Sequence, residues 1–283
     1  MIIDTHVHFW DPAALHYPWL EEIPSLDRAF LPADYRRAAR TIPISKIVFV
    51  EANCRPEETQ AEVALIEGLA EAEPRIAGLV AFANVAQGLG AGGSGLGYTL
   101  DGLCRSPLVK GIRQNIQGKP AGFCMQPAFV DGVREVGRRG LTFDLCATHD
   151  QLGDVAELVR ECPGTRFVLD HCGKPAIRDQ RTEPWRGHIA ALAAQDNVSC
   201  KLSGLLTEAA PEGWSDDDLL PYAAWVVEAF GGERVMYGSD WPVLTLAGGY
   251  CDWYGFTERF TAGWSPAARA RFYEGNAARV YGL

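Results

Sequence analysis

The sequence predicts a (β/α)8 barrel formed by a single domain over residues 1–283. Short runs rich in β-branched residues recur eight times along the chain. Most of these runs are continuously apolar rather than alternating, which is typical of parallel strands covered on both faces. Amphipathic segments lie between most of them, and strand-helix alternation repeated eight times favours a closed barrel. An open, doubly wound sheet is the alternative arrangement of the same elements.

The positions of the elements follow from local sequence pattern. The last predicted helix, 265–280, opens with Ser265 as the N-cap and Pro266 in its first turn. Residues 10–40 are aromatic-rich and do not fit the repeat, so we expect an excursion beside the mouth of the barrel. The predicted strands lie at 2–9, 46–54, 76–85, 110–116, 141–147, 165–173, 198–204 and 234–242, and the predicted helices at 56–73, 126–139, 150–162, 184–195, 216–231 and 265–280.

The composition argues against several functional classes. The formal net charge is −10, so a nucleic-acid partner is not expected, because phosphate recognition depends on basic residues. No apolar run is long enough to span a bilayer and no signal-type segment is evident, so we expect a cytoplasmic protein without membrane contact. None of the eight cysteines forms a C-x-x-C pair, which disfavours a zinc ribbon or a thioredoxin-like site.

The first predicted strand ends in a pair of histidines, His6 and His8. Alternate side chains of a strand point the same way, so the two imidazoles are expected on one side, about 6–7 Å apart along the chain. They are suited to bind one metal ion or to donate to one substrate. Their position at the carboxyl end of the strand is where barrel enzymes carry their chemistry.

Seven of the predicted strands end in polar residues that a packed core does not need. Each polar group follows an apolar run of three or more residues, and such a set indicates a site built on a rigid scaffold. These residues are, in chain order, His6, His8, Glu51, Arg113, Asn115, Asp144, Asp170, His171, Lys201, Ser203, Ser239, Asp240 and Trp241.

Three imidazoles and one carboxylate in this set form a ligand group suited to zinc: His6, His8, His171 and Asp240. A zinc ion would polarise a carbonyl and acidify a water. Asp240 is alternatively a general base on that water. We therefore interpret Asp240 and His171 as catalytic.

Substrate contacts are expected from residues that donate or accept hydrogen bonds. Arg113 suits a carboxylate or several hydroxyls, and Lys201 suits a developing oxyanion. Glu51 either binds substrate or pairs with Arg113, and Asp144 either binds hydroxyls or pairs with Lys201. Trp241 is expected to line the same pocket. For Asp170, orienting His171 or capping a turn is favoured over direct catalysis.

Four motifs together resemble the amidohydrolase superfamily, and within it the short-chain lactonase branch. They are His-x-His at the end of the first strand, D-H-x-G-K-P from Asp170, K-L-S-G from Lys201 and Y-G-S-D-W-P from Tyr237. Val48 to Asn53, G-I-R-Q-N from Gly111 and the final G-N-A-A-R-V-Y-G-L are also similar, so the resemblance runs from residue 2 to residue 283.

This resemblance implies hydrolysis of a lactone without a covalent intermediate. His6, His8, His171 and Asp240 match the family's metal positions, with Asp240 handling the proton, and Arg113 and Lys201 match positions that hold substrate. Where members with two metals carry a second histidine on the later strands, this chain has Lys201. One zinc or other divalent ion, or none, is therefore expected.

The expected substrate is a small sugar lactone, an aldonolactone such as L-fucono-, L-rhamnono- or L-galactonolactone. The carboxylates of Glu51 and Asp144 suit neutral polyols, which need acceptors for their hydroxyls. A 2-pyrone-4,6-dicarboxylate lactonase and a metal-dependent non-oxidative decarboxylase of the same superfamily are the alternative enzymes, and a non-catalytic binding barrel is a third class. The sequence does not decide between a monomer and a homo-oligomer.

Overall fold

The computed structural model describes residues 1–90, 94–210 and 213–283, and its eight strands form one sheet in chain order. Each strand pairs in parallel with the next one along the chain. The strands are β1 (Ile2–Val7), β2 (Ile44–Val50), β3 (Ile76–Phe82), β4 (Val109–Arg113), β5 (Thr142–Leu145), β6 (Arg166–Leu169), β7 (Val198–Leu202) and β8 (Val235–Tyr237).

The first and last strands meet and nearly close the barrel. Val7 forms a parallel bridge with Trp241. The backbone N–H of His8 donates to the Trp241 carbonyl at 2.7 Å, and the N–H of Asp240 donates to the His6 carbonyl at 2.8 Å. The prediction of a (β/α)8 barrel is therefore confirmed, and the open sheet is excluded.

Helices connect the strands, and all six predicted helical segments are helical. The last of them, 265–280, is interrupted by a π-helical turn over Arg271–Gly275. Other helices were not predicted, because their sequences carry glycine or an irregular apolar spacing. The α-helices are α1 (Pro32–Ala38), α2 (Thr59–Ala72), α3 (Gly95–Leu103), α4 (Pro127–Arg138), α5 (Leu152–Glu161), α6 (Trp185–Ala193), α7 (Leu205–Glu208), α8 (Asp216–Phe230), α9 (Tyr250–Phe260), α10 (Pro266–Ala270) and α11 (Asn276–Tyr281).

The strands end earlier than the sequence pattern predicts. The predicted strand at 165–173 stops at Leu169, and the one at 234–242 stops at Tyr237. In both cases the residues that follow leave the extended conformation, with positive φ angles at His171 and Asp240. The polar residues of these two segments therefore lie on loops at the mouth rather than within the strands.

Apolar side chains fill the interior of the barrel, and α11 packs against these side chains. Ile3, Val48, Val80, Val168 and Met236 form one buried cluster with residues of the C-terminal helix. Since this interior is packed, the polar site is confined to the carboxyl ends of the strands. Within the described ranges, no helix has the length and apolar character needed to cross a bilayer. All eight cysteines are free thiols.

A buried carboxylate, Asp4, joins the two strands that close the barrel. It is 0% exposed and accepts hydrogen bonds from the hydroxyls of Tyr35 (2.9 Å) and Tyr250 (2.7 Å) and from the backbone N–H of Ser239 (2.8 Å). Burial raises the pKa of Asp4, and these donors oppose that rise. Asp4 therefore connects β1 to the loop after β8 that carries Asp240.

We expect Asp4→Ala to destabilise the fold by about 3 kcal/mol or more, because three buried donors lose their acceptor. Tyr35→Phe removes one donor and leaves the acceptor satisfied, so its expected cost is about 1 kcal/mol. Urea unfolding followed by circular dichroism measures both values. Equal losses from the two variants would contradict the role of Asp4 as a shared acceptor.

Candidate functional site

A cavity of ≈ 270 Å³ opens at the carboxyl ends of the strands. Five of the predicted strand-end residues line it: His8, Arg113, Asn115, His171 and Asp240. Further lining residues come from loops and include Trp19, Asn53, Gln117, Cys146 and Lys174. The size and the polar lining are suited to a small molecule.

Three of the four predicted metal ligands line this cavity, and the fourth, His6, is fully buried beside them. The Nε2 atoms of His6 and His8 are 3.2 Å apart. Oδ1 of Asp240 lies 3.7 Å from His6 Nε2, 3.4 Å from His8 Nε2 and 3.9 Å from His171 Nε2. Two ligand atoms about 2.0–2.2 Å from a tetrahedral ion are about 3.3–3.6 Å apart. Among the described residues, the ligand atoms of His6, His8 and Asp240 all lie within 4.8 Å of one another, so these three could hold one metal ion, and His171 approaches this group at Asp240.

The other ring nitrogen of each histidine has a partner that orients the ring. His8 Nδ1 lies 2.8 Å from the Val50 carbonyl, and His171 Nδ1 lies 2.9 Å from Ser203 Oγ. His6 Nδ1 lies 3.3 Å from Oδ1 of Asp170. Such outer partners hold the Nε2 lone pair toward a metal. Asp170 thus supports His6 on the side away from the other predicted ligands. From the sequence, Asp170 was instead expected to orient His171 or to cap a turn.

Charge balance also fits a divalent ion. Arg113 and Lys201 are the two cations of the buried cluster. Four carboxylates contact these cations or the histidines, which leaves a formal net charge of −2 when the imidazoles are neutral. One divalent ion would neutralise that charge. Buried charges without compensation are costly, so the arrangement favours a bound cation.

Burial disfavours the protonated form of two of the imidazoles, those of His6 and His171. It lowers the pKa of His171 to about 4 and the pKa of His6 well below its ordinary value. Burial alone would raise the pKa of Asp240, but His171 and the hydrogen bond from His8 hold it below its ordinary value. Neutral imidazoles and an ionised carboxylate are the forms that bind metal.

Arg113 is held by two carboxylates. Its Nε lies 2.6 Å from Glu51 Oε1, and its Nη1 lies 3.3 Å from Asp170 Oδ2. Nη2 donates to the Glu51 carbonyl at 2.6 Å. Glu51 is 0% exposed and lies outside the set of described residues that line the cavity. Of the two roles considered for Glu51, the structure therefore places it in the pair with Arg113.

Lys201 and Asp144 form a second ion pair, deeper in the barrel. Lys201 Nζ lies 2.7 Å from Asp144 Oδ2, 2.9 Å from Asp170 Oδ1 and 3.3 Å from His6 Nδ1. Burial acts to lower the pKa of Lys201, but Asp144 and Asp170 more than offset it and the pKa lies above its ordinary value. Asp144 also accepts from the hydroxyl of Tyr281 at 2.8 Å. Both residues of the pair lie beneath His6, outside the described cavity lining.

Trp241 lies behind the cavity. It is 2% exposed, and its ring packs edge-on against Phe9, Phe30 and Tyr35. Its carbonyl accepts the His8 N–H that closes the barrel. The position of Trp241 therefore supports the loop that carries Asp240.

Left-handed backbone is concentrated at this site. His171, Lys174, Asp240 and Asn53 have φ angles of 53°, 45°, 63° and 53°, and all four line the cavity. Non-glycine residues adopt this conformation at a cost of about 1–3 kcal/mol each, and such residues cluster at functional sites. Asn53 and Lys174 therefore have the same left-handed backbone conformation as two of the predicted metal ligands, His171 and Asp240.

Sequence reasoning did not single out Trp19, Asn53 and Lys174 as site residues. Asn53 and Lys174 had a signal, since they follow strand ends within motifs of the resemblance. Trp19 had no such signal, because it lies in the 10–40 excursion, where no repeat in the sequence predicts which way a side chain points. The indole nitrogen of Trp19 donates to the Ala52 carbonyl at 2.8 Å, which brings this excursion to the mouth as expected.

Comparison with known proteins gives a consistent assignment. The family model described as Amidohydrolase matches residues 3–283. An L-fucono-1,5-lactonase of Burkholderia ambifaria is 31% identical over 291 residues, which cover 99% of this chain and 94% of that protein. An L-rhamnono-gamma-lactonase of Scheffersomyces stipitis is 26% identical over 62% of this chain and 60% of its own length. A crystal structure of an amidohydrolase from Burkholderia multivorans with bound zinc has a TM-score of 0.87 at 31% identity, covering 100% of this chain and 99% of that chain.

We expect the purified protein to bind one zinc ion per chain and His8→Ala to lose most of it, because one of four ligands is removed. Elemental analysis after dialysis against zinc measures the content. His16→Ala is the matched control, since His16 is half-exposed and faces Glu21 rather than the cavity. Equal zinc in all three proteins would contradict the assigned ligands.

Proposed function

This chain belongs to the amidohydrolase family, and we propose that it hydrolyses a neutral sugar lactone to the corresponding aldonic acid. The observation that carries the proposal is the group formed by His6, His8 and Asp240, with His171 3.9 Å from Asp240, at a small polar cavity. The names of the two lactonase relatives support a hydrolase acting on lactone esters.

In the proposed reaction Asp240 is the general base. Its carboxylate lines the cavity, and its pKa below the ordinary value keeps it ionised at neutral pH. It takes a proton from a water that attacks the lactone carbonyl carbon. The bond between that carbon and the ring oxygen then breaks, and Asp240 returns the proton to the ring oxygen. The products are one carboxylic acid and one hydroxyl on the same chain.

Zinc or another divalent ion held by His6, His8, His171 and Asp240 would polarise the carbonyl and acidify the water. The ligand spacing, the lowered pKa values of His6 and His171 and the zinc-bound structural relative support one such ion. Arg113 reaches the cavity with its guanidinium and holds substrate oxygen in the proposal. The predicted metal ligands and Arg113 are positioned by residues outside the cavity lining, namely Glu51, Asp144, Lys201 and Trp241.

The cations at the cavity favour a neutral substrate. Among the described lining residues, Arg113 is paired with Glu51 and Asp170, and Lys174 lies 2.6 Å from Glu208. A pyrone dicarboxylate brings two negative charges, and charge-paired donors compensate them poorly. The alternative lactonase is therefore less well supported than a sugar lactonase. Measurement of CO2 separates lactone hydrolysis from the decarboxylase alternative.

We expect acid release from aldono-1,4- or aldono-1,5-lactones without CO2, and a fall in kcat of about 10²-fold or more in Asp240→Asn. A pH-indicator assay and a CO2 electrode measure the two products. The zinc content of each variant is determined in parallel, so that loss of metal and loss of the base are distinguished. Asp27→Asn is the control, because Asp27 is exposed and remote from the cavity lining. Near-normal turnover in Asp240→Asn would exclude its role as base.

A further inference from the structure

We propose that Trp19 and Asn53 form the wall of the cavity that selects the sugar part of the substrate. This inference rests on the proposed function and adds residues that recognise the ring rather than the reacting carbonyl. Both residues line the cavity, both contact the turn after β2, and neither belongs to the predicted metal site.

The indole of Trp19 is held so that its ring remains for a ligand. Its nitrogen is already engaged by the Ala52 carbonyl, and its ring meets that of Trp10 at 5.3 Å and 82°. A 3-10 helix over Pro18–Glu22 carries it to the mouth. What the indole offers in the cavity is a flat, apolar, electron-rich surface. Such a surface fits the C–H face of a sugar ring.

Asn53 presents a side chain suited to read a hydroxyl. Within the described part of the chain, its carboxamide has no protein partner, although the residue lines the cavity. A carboxamide offers two donors and an acceptor, which matches a hydroxyl that both donates and accepts. Its φ of 53° places the residue in the left-handed region, where local strain must be offset by the surroundings.

Two buried glutamates provide that support. The N–H of Asn53 donates to Glu51 Oε2 at 2.7 Å, and the N–H of Ala52 donates to Glu62 Oε1 at 3.0 Å. Glu62 is 1% exposed on α2 and has no part in the proposed reaction. Its burial is explained if it fixes the turn that presents Asn53. Glu51 thus holds both Arg113 and the Asn53 turn, which links carbonyl and ring recognition.

The ligand that fits this wall is an uncharged ring with hydroxyls on its edge and one apolar face. An aldonolactone has both features, whereas an unsubstituted lactone has no hydroxyl for Asn53. The two substrate types therefore separate recognition of the ring from chemistry at the carbonyl.

The test compares an aldonolactone with δ-valerolactone in three variants. Asn53→Gly removes the carboxamide and keeps the left-handed backbone, and Trp19→Leu removes the aromatic face and keeps apolar bulk. We expect kcat/KM on the aldonolactone to fall about tenfold in each, and kcat/KM on δ-valerolactone to change less than about twofold. Gln180→Gly is the matched control, since Gln180 is an exposed amide with φ of 52° outside the cavity.

An equal fall in kcat/KM on both substrates, or no fall on the aldonolactone, would contradict the proposed role of Trp19 and Asn53. Binding of the free pyranose sugar, which has no bond to hydrolyse, is measured by calorimetry in the same proteins. A parent protein that binds the sugar but hydrolyses neither lactone refutes the proposed function, and weaker binding in Asn53→Gly then still supports the wall. A parent protein that neither binds nor hydrolyses refutes both.

Discussion

The buried ion network of Arg113 and Lys201 is the constraint on which the rest of the site depends. Arg113 on β4 reaches Glu51 after β2 and Asp170 after β6, and Lys201 on β7 reaches Asp144 on β5 and the same Asp170. Removal of one partner from a buried ion pair costs about 3–5 kcal/mol, because the other charge is left uncompensated. The network therefore holds five strand ends in one relative position, and Asp170 is the carboxylate shared by both cations.

Asp4 serves β1 and β8, two of the three strands outside this network. Its hydrogen bonds tie β1 to the loop after β8, so that His6, His8 and Asp240 are presented from a closed seam. The proposed metal ligands are thus supported on one side by ion pairs and on the other by the hydrogen bonds of Asp4. This rigidity allows His171 and Asp240 to keep a left-handed backbone that isolated residues disfavour. The backbone strain at His171 and Asp240 is therefore held in place by the ion pairs beneath the mouth of the barrel.

The barrel and the meeting of polar residues at the strand ends could be predicted because they depend on periodicity and on chain position. Parallel strands bring their carboxyl ends to one edge, so polar residues that end apolar runs must meet there. The depth of each side chain could not be predicted in the same way. Lys201 and Asp144 lie one layer below His6, and Glu51 faces Arg113 rather than the cavity. Trp19 was beyond sequence reasoning, because the 10–40 excursion carries no repeat that fixes its direction.

In the proposed site, one divalent ion balances the buried charge at His6, His8, His171 and Asp240. The most direct measurement is an anomalous difference map at the zinc absorption edge, from crystals grown with zinc. We expect a single peak bounded by the three Nε2 atoms and the Asp240 carboxylate. No peak there, or a second peak between Asp144 and Asp170 in place of the Lys201 ammonium, would contradict it.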